Sequence, residues 1–129
     1  MAKILIIDDD PDIVEAMKIV LEPRGYQVCA AKTGEEGLSK VRSEKPELVI
    51  LDVMMETIDK GFDVAREIKW DPEYKHVPIL MLTAIKERTS LDFAKEAGDE
   101  TWLPVDDYCD KPLHPDELIS KVEALLRKR

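Results

Sequence analysis

The sequence ILIIDDD at residues 4–10 decides the fold of this chain, because four consecutive apolar residues run directly into three aspartates. A short run that is apolar on both faces is typical of a strand in a parallel sheet that helices cover on both sides. Similar runs recur as LVIL at residues 48–51 and ILML at residues 79–82. Each of these also ends at a polar residue, Asp52 or Thr83. The repetition predicts a buried sheet whose strands end in polar side chains.

Helical patterns alternate with these runs along the chain. Apolar residues recur at helical spacing after Pro11, and a capping box from Thr33 to Glu36 predicts the start of a second helix. Further helices are predicted at Phe62–Trp70, at Thr89–Ala97 and from Pro115 onward, and weaker strands at Tyr26–Ala31 and Val105–Cys109. Five βα units in this order predict an α/β fold, a doubly wound five-stranded parallel sheet with helices on both faces. We expect the strand order 2-1-3-4-5, which is taken from known sheets of this kind.

Length and charge limit what the chain does. Its 129 residues suit one domain, so we expect a single domain over residues 1–129 with no output domain. The formal net charge of −9 repels nucleic acid phosphates and argues against direct nucleic-acid binding. The apolar runs are too short to cross a membrane, the N-terminus lacks signal-peptide features, and two cysteines do not form a secreted disulfide framework. We therefore expect a soluble, cytoplasmic protein.

Acidic residues follow two strands that are neighbours in the expected order. Asp8 and Asp9 follow the first strand, and Asp52 ends the third. Because parallel strands end at the same edge of a sheet, we expect these three carboxylates within a few ångströms of one another. Such a cluster repels itself unless protons or a cation compensate it, and its hard oxygen ligands suit Mg²⁺. Thr83 after the fourth strand and Lys111 after the fifth add further polar groups at this edge.

Four motifs lie at these strand ends, in order along the chain: IIDDDP at residues 6–11, LDVMM at 51–55, LTA at 82–84 and YCDKPL at 108–113. With this combination the chain resembles the receiver domain of two-component response regulators, of the chemotaxis type. The resemblance covers essentially the whole chain and implies a flavodoxin-like fold. It also implies a signalling phosphoprotein that acts in a phosphorelay.

The resemblance assigns a role to each residue of the site. Asp52 would be the phosphoacceptor and carry an aspartyl phosphate. Asp9 and Asp52 would bind Mg²⁺ together with the backbone carbonyl of Met54, and Asp8 would act nearby, directly or through water. Lys111 would supply a positive charge. These roles make physical sense because phosphoryl transfer depends mainly on positioning and charge neutralisation.

The resemblance also implies a switch. Thr83 would donate a hydrogen bond to the phosphoryl group and move towards it, and Tyr108 would swing inward behind it. The lysine would be aimed inward by Pro112, at the family's cis-proline position. The signalling surface would consist of the predicted helix at residues 89–97, the fifth strand and the last helix. The implied partners are a histidine kinase or phosphotransfer protein and a downstream protein, and the sequence leaves open whether the chain is a monomer or a weak dimer.

Two segments depart from the family pattern. Family members usually have Met-Pro shortly after the phosphoacceptor, whereas this chain has Met55-Glu56, followed by a longer loop through Glu56–Lys60. This loop flanks the expected metal site, so the change bears on metal affinity. An insertion that contains Trp102 precedes the fifth strand. Trp102 is either an exposed anchor for a partner or a residue that covers its own loop.

Three other interpretations stay open on the sequence. A phosphatase or hydrolase that depends on Mg²⁺ would use Asp52 as nucleophile, although haloacid-type enzymes need a second aspartate where Met54 stands. A flavodoxin-like cofactor binder would need a phosphate loop after the first strand, where residues 8–10 repel phosphate. A degenerate receiver would bind partners without phosphorylation. We expect a phosphorylation-switched binding module that is not an enzyme beyond its own phosphorylation and dephosphorylation.

Overall fold

A parallel sheet lies at the centre of the fold. The strands are β1 Lys3–Ile7, β2 Gln27–Ala31, β3 Leu48–Asp52, β4 Ile79–Thr83 and β5 Asp107–Asp110. The structure is a computed structural model that describes residues 2–52, 58–83, 106–110 and 114–128. Within these ranges the strands form one five-stranded sheet in the order β2-β1-β3-β4-β5. The predicted α/β fold and its strand order are confirmed.

Helices connect the strands and cover both faces of the sheet. They are α1 Pro11–Leu21, α2 Gly34–Glu44, α3 Ile58–Trp70 and a C-terminal helix Pro115–Lys128, with a short 3-10 turn at Glu22–Arg24. The predicted helix at residues 89–97 lies outside the described residues. Among the helices within them, none is long and apolar enough to span a lipid bilayer.

The core lies on both faces of the sheet, because successive side chains of a strand point to opposite sides. In β1, Leu5 and Ile7 pack with residues of α2 and α3. Ile4 and Ile6 pack with residues of α1 and the C-terminal helix. All four of these side chains are fully buried. Burial on both faces explains why residues 4–7 of the strand are all apolar.

The close packing of α2 on β1 depends on Gly37. A Cβ atom at this position would lie 2.5 Å from Cδ1 and 2.9 Å from Cγ1 of Ile7. Real Cβ atoms do not approach other carbon atoms that closely, and Ile7 is fully buried. The missing side chain therefore lets the helix lie directly against the sheet.

Capping hydrogen bonds fix the start of α2. Thr33 Oγ1 accepts a hydrogen bond from Glu36 N at 3.1 Å, as the predicted capping box requires. The Glu36 carboxylate accepts from Lys32 N at 2.7 Å, so it reaches one residue before the cap rather than the cap itself. At the other end of the helix, Lys45 adopts a left-handed conformation with φ of 49°. The start of α2 is thus fixed by side-chain hydrogen bonds, and its end by the left-handed backbone of Lys45.

The predicted start of α3 was wrong. The helix begins at Ile58 instead of Phe62, so residues 58–60 of the expected Glu56–Lys60 loop are helical. Gly61 then lies inside the helix. One interior glycine costs a helix only about 1 kcal/mol. The burial of apolar residues further along α3 against the sheet outweighs that cost.

The start of β5 also differs from its prediction, because the strand begins at Asp107 and not at Val105. At the residue before the strand, the Asp106 carboxylate takes the place of a backbone carbonyl as the hydrogen-bond acceptor. Asp106 Oδ2 accepts from Ile79 N at 2.8 Å, and Asp106 N donates to Ile79 O at 2.9 Å. Asp106 therefore aligns β5 with β4 through both its side chain and its backbone.

Charged side chains hold β5 from both faces of the sheet. Lys69 of α3 binds Asp106 Oδ2 at 2.7 Å and donates to Val77 O at 2.9 Å, and we name these three groups the Lys69 clamp. From the C-terminal helix, Lys121 Nζ binds Asp107 Oδ1 at 3.1 Å. Burial acts to lower the pKa of Lys121, but the hydrogen bond and negative charge of Asp107 raise it overall. The edge strand is thus fixed by an ion pair on each side.

The two cysteines lie on the two edge strands of the sheet. Cys29 is in β2 and Cys109 is in β5, and both are free thiols. Burial raises the pKa of the Cys29 thiol, and it raises that of the Cys109 thiol to about 12. Neither thiol is therefore expected to ionise appreciably at neutral pH.

Candidate metal centre

Three carboxylates meet at the edge of the sheet where β1 and β3 end. Asp8 and Asp9 directly follow β1, and Asp52 is the last residue of β3. The two strands pair in parallel with Ile7 opposite Leu51, which brings their ends to the same level. Carboxylate oxygens of the three aspartates lie within 4.8 Å of one another. The strand order thus produces the cluster that the sequence led us to expect.

The three carboxylates differ in their surroundings. Asp8 and Asp52 are buried, and Asp9 is exposed. The backbone fixes Asp8, because its N–H donates to Ala31 O at 3.0 Å and its Oδ1 accepts from Asp10 N at 2.9 Å. The site therefore has a buried, ordered side and a side that faces solvent.

The donor set of this site fits a hard divalent cation. Two unit charges within 4.8 Å of each other repel by at least about 3.5 kcal/mol at an effective dielectric constant of about 20. A cation among the oxygens of Asp8, Asp9 and Asp52 offsets this repulsion. Mg²⁺ prefers oxygen ligands and is usually bound by one or two carboxylates, with water and phosphate at its other positions. The exposure of Asp9 leaves room for such additional ligands.

The third aspartate of the DDD sequence has a different role. Asp10 is the N-cap of α1, and its Oδ1 accepts a hydrogen bond from Asp12 N at 2.9 Å. The signal for this role was Pro11, which is favoured at the first position of a helix. Asp10 therefore fixes the direction in which the chain leaves Asp8 and Asp9.

The remaining predicted site residues lie partly within the described chain. Thr83 ends β4, one position beyond Leu82, which pairs with Asp52 across β3 and β4. The backbone of Thr83 therefore reaches the same edge of the sheet as the three carboxylates. Tyr108 lies within β5, whose backbone pairs with β4. Other predicted residues lie outside the described ranges: Met54, Trp102, Lys111 and Pro112.

Comparison with known proteins identifies the family. The model of the response regulator receiver domain matches residues 4–123. The chain belongs to this family. The receiver domain is 42% identical over 126 residues to the alkaline phosphatase synthesis transcriptional regulatory protein PhoP of Bacillus subtilis (strain 168), covering 98% of this chain and 49% of PhoP. It is 37% identical over 126 residues to the DNA-binding response regulator MtrA of Mycolicibacterium smegmatis, covering 98% of this chain and 51% of MtrA. The chain thus spans about half the length of these curated relatives.

Solved structures share the fold along nearly the whole receiver domain. A putative response regulator from Chloroflexus aurantiacus J-10-fl is 34% identical, with a TM-score of 0.83 and coverage of 98% of both chains. The chemotaxis response regulator CheY4 of Vibrio cholerae is 30% identical, with a TM-score of 0.84 and coverage of 97% of this chain and 98% of that protein. The resemblance inferred from the four sequence motifs is confirmed.

The receiver domain therefore functions in two-component signalling, in the protein class that accepts phosphoryl groups. Receiver domains generally bind Mg²⁺ at an acidic pocket, and the structure has a cluster of three acidic residues, Asp8, Asp9 and Asp52. They interact with histidine kinases and effector domains. These findings do not favour the alternatives of a phosphatase, a cofactor binder or a degenerate receiver.

Proposed function

We propose that Asp52 is the phosphoacceptor of this receiver domain. The observation that carries the proposal is its position as the last residue of β3, buried between the ends of β1 and β4. Asp8 is less suited because one of its oxygens already accepts a hydrogen bond from Asp10 N. Asp9 is exposed, which suits a metal ligand that faces water more than a nucleophile held in one orientation.

In the proposed reaction a carboxylate oxygen of Asp52 attacks the phosphorus of a phosphohistidine on a kinase or phosphotransfer protein. An O–P bond forms, the P–N bond breaks, and its electron pair stays on the histidine nitrogen. Water later attacks the phosphorus of the aspartyl phosphate, which releases inorganic phosphate and restores Asp52. The chain on this proposal catalyses only its own phosphorylation and dephosphorylation and is not an enzyme with a separate substrate.

The acidic residues would hold the metal ion for this reaction. Asp9 and Asp52 would bind Mg²⁺ together with the Met54 carbonyl, and Asp8 would act directly or through water. When bound, Mg²⁺ supplies positive charge that attracts the phosphoryl oxygens and offsets repulsion among the carboxylates. Asp8 suits a fixed supporting role because two backbone hydrogen bonds hold it in place.

Groups on the other strands would complete the site and transmit the signal. Lys111 would add a positive charge, and the Thr83 hydroxyl would donate a hydrogen bond to the phosphoryl group. Tyr108 would follow the movement of Thr83. The signalling surface would be formed by the segment at residues 89–97, β5 and the C-terminal helix. We propose a downstream protein as the partner of this surface, with the chain in the cytoplasm.

The net charge of −9 supports a partner protein rather than direct contact with DNA. PhoP and MtrA are named as transcriptional and DNA-binding regulators, and this chain aligns with about half of each. We therefore propose that any role in transcription acts through protein contacts of the receiver domain.

Intact mass spectrometry tests the phosphoacceptor. The full chain is incubated with Mg²⁺ and acetyl phosphate, and one added phosphoryl group is expected. Asp52→Asn should abolish the addition, because an amide does not form the acyl phosphate. Asp12→Asn is the matched control, since Asp12 is an exposed aspartate in the first turn of α1. Phosphorylation that persists in Asp52→Asn would contradict the proposal.

A metal titration tests the proposed ligands separately. Mg²⁺ should raise the thermal midpoint of the wild-type chain, because a ligand that binds only the folded state stabilises it. Asp9→Asn and Asp52→Asn should each weaken this effect, and Asp12→Asn should leave it unchanged. If Mg²⁺ raised the thermal midpoint of Asp9→Asn as much as that of the wild type, Asp9 would not be a metal ligand. The assignment of Asp52 as phosphoacceptor would not be affected.

A further inference from the structure

A groove lies between α2 and the C-terminal half of α3, and it is separate from the carboxylate site. Its volume is about 560 Å³, which falls in the range of known ligand-binding clefts. Its apolar lining comes from Leu38 of α2 and from Val64 and Trp70 of α3. Val64 is buried and Leu38 is half-buried, whereas Trp70 is 64% exposed. The groove therefore has a small apolar floor with a large aromatic side chain at its edge.

The charges around this groove are mainly negative. Glu35, Asp63 and Glu67 line it together with one cation, Arg66. Arg66 forms an ion pair with Asp63, one helical turn away, so these two charges compensate each other. Glu35 and Glu67 add two further negative charges and are both exposed. The groove thus combines an exposed tryptophan with a net negative rim.

We propose that this groove binds a basic amphipathic helix of a partner protein. A cleft between two helices matches the recognition mode in which a helix lays its apolar face into a groove. An apolar side chain of the partner would pack on Leu38, Val64 and Trp70. Lysine or arginine side chains on its flanks would face Glu35 and Glu67, and a cation over the indole ring of Trp70 would gain further attraction.

The charge pattern selects this occupant over others. An acidic helix would be repelled by the rim, and an uncharged apolar segment would leave Glu35 and Glu67 beside it without compensation. Exposed tryptophans are enriched among the residues that dominate binding energy at interfaces. The proposed surface differs from the phosphorylation site and from the signalling surface around β5, so this inference goes beyond the proposed function.

The test uses a synthetic helix of leucine and lysine as its probe, with a leucine–glutamate helix of the same length as the comparison. Binding to the full chain is measured without Mg²⁺ or phosphodonor, so that phosphorylation plays no part. In a Trp102→Phe background Trp70 is the only tryptophan, and its emission should shift to shorter wavelength when the leucine–lysine helix covers it. The leucine–glutamate helix should produce no shift.

Groove variants and matched controls decide between a specific site and general attraction to an acidic protein. Trp70→Ala and the double variant Glu35→Gln/Glu67→Gln should each raise the calorimetric Kd by about tenfold or more. The controls are Ile19→Ala and Glu15→Gln/Glu22→Gln, where Ile19 is 65% exposed on α1, Glu15 lies one turn before it, and Glu22 caps the end of the helix. These controls should change the Kd by less than about twofold.

Three outcomes would overturn the proposal. Equal losses in the groove and α1 variants would show unspecific attraction to negative charge. If the leucine–glutamate helix bound as tightly as the leucine–lysine helix, charge would not determine binding. If Trp70→Ala bound the leucine–lysine helix with the wild-type Kd, Trp70 would not be the apolar anchor. Circular dichroism and urea unfolding of each variant ensure that a lost affinity does not reflect a lost fold.

Discussion

We expect Lys69 to contribute more to the free energy of unfolding than a lysine in a surface ion pair, because of the contacts in the Lys69 clamp. Lys69 Nζ contacts Asp106 Oδ2 at 2.7 Å and Val77 O at 2.9 Å, and the side chains of Lys69 and Asp106 are 15% and 38% exposed. Lys69→Met keeps most of the aliphatic stem and removes the ammonium group. Removal of one partner from a fully buried pair costs about 3–5 kcal/mol. Because Asp106 is partly solvated, we expect a loss of about 2 kcal/mol.

Urea unfolding measures this loss as a lower midpoint with an unchanged m-value. Lys3→Met is the matched control, because Lys3 pairs with Glu44 at 3.0 Å with 32% and 40% of the side chains exposed. The control should cost at most about 0.5 kcal/mol, and about 1 M NaCl should remove that cost while leaving most of the Lys69 effect. Asp106→Asn should cost about 1 kcal/mol, since its amide oxygen still accepts from Ile79 N.

The double variant Lys69→Met/Asp106→Asn separates the ion pair from the other contacts. If the two groups act together, the loss in the double variant is smaller than the sum of the single losses by about 1 kcal/mol. A Lys69→Met loss no greater than that of Lys3→Met would refute the reasoning. Additive losses would instead assign the effect to the hydrogen bonds that Lys69 donates to the backbone carbonyls of Val77 and Lys75.

Three further predictions concern the packing, capping and titration of the fold. Gly37→Ala should cost about 1–3 kcal/mol in thermal or urea unfolding because its Cβ meets Ile7 Cδ1 at 2.5 Å, and an Ile7→Val background, which lacks that atom, should reduce the cost. Thr33→Ala should cost about 1 kcal/mol by removing the cap on Glu36 N, whereas Thr33→Ser should be nearly neutral, and an equal loss in both would contradict the capping role. Burial, opposed in part by the charge of Lys121, raises the pKa of the Cys109 thiol from 9.0 to about 12. The raised pKa stabilises the folded state, and this contribution is complete below pH 9. As the pH rises from 9 towards 12 the free energy of unfolding falls by at most about 1.4 kcal/mol per pH unit. Cys109→Ala should flatten the pH profile of unfolding over this range, and an unchanged slope would show that the thiol does not cause it.

The sequence predicted the sheet well because its strands are buried on both faces. A run such as residues 4–7 leaves no solvent-facing position, so its type and its end are both visible in the pattern. The carboxylate cluster followed from the strand order, since adjacent parallel strands must end at the same edge. The roles of Asp52, Thr83 and Lys111 in phosphoryl transfer stay predictions that the phosphorylation assay addresses.

Features that depend on distant contacts were not visible in the sequence. The start of α3 was placed too late because the segment after Asp52 was compared with the loop of the family pattern, while the packing that stabilises the helix comes from other elements. The Lys69 clamp joins residues far apart in the chain, and neither Lys69 nor Asp106 stands in a recognisable motif. The groove beside Trp70 likewise arises only when α2 and α3 lie side by side.

The placement of the two thiols makes this protein a reporter of its own local opening. Cys29 and Cys109 lie on opposite edge strands, so a thiol-specific reagent samples the two sides of the sheet separately. Single-cysteine versions of the chain would give a labelling rate for each edge, and the rate at the buried Cys109 measures how often β5 detaches from β4, with the half-buried Cys29 as the comparison. Comparison of the rates before and after phosphorylation would show whether the signal tightens one edge of the sheet, without any probe having to be added to the protein.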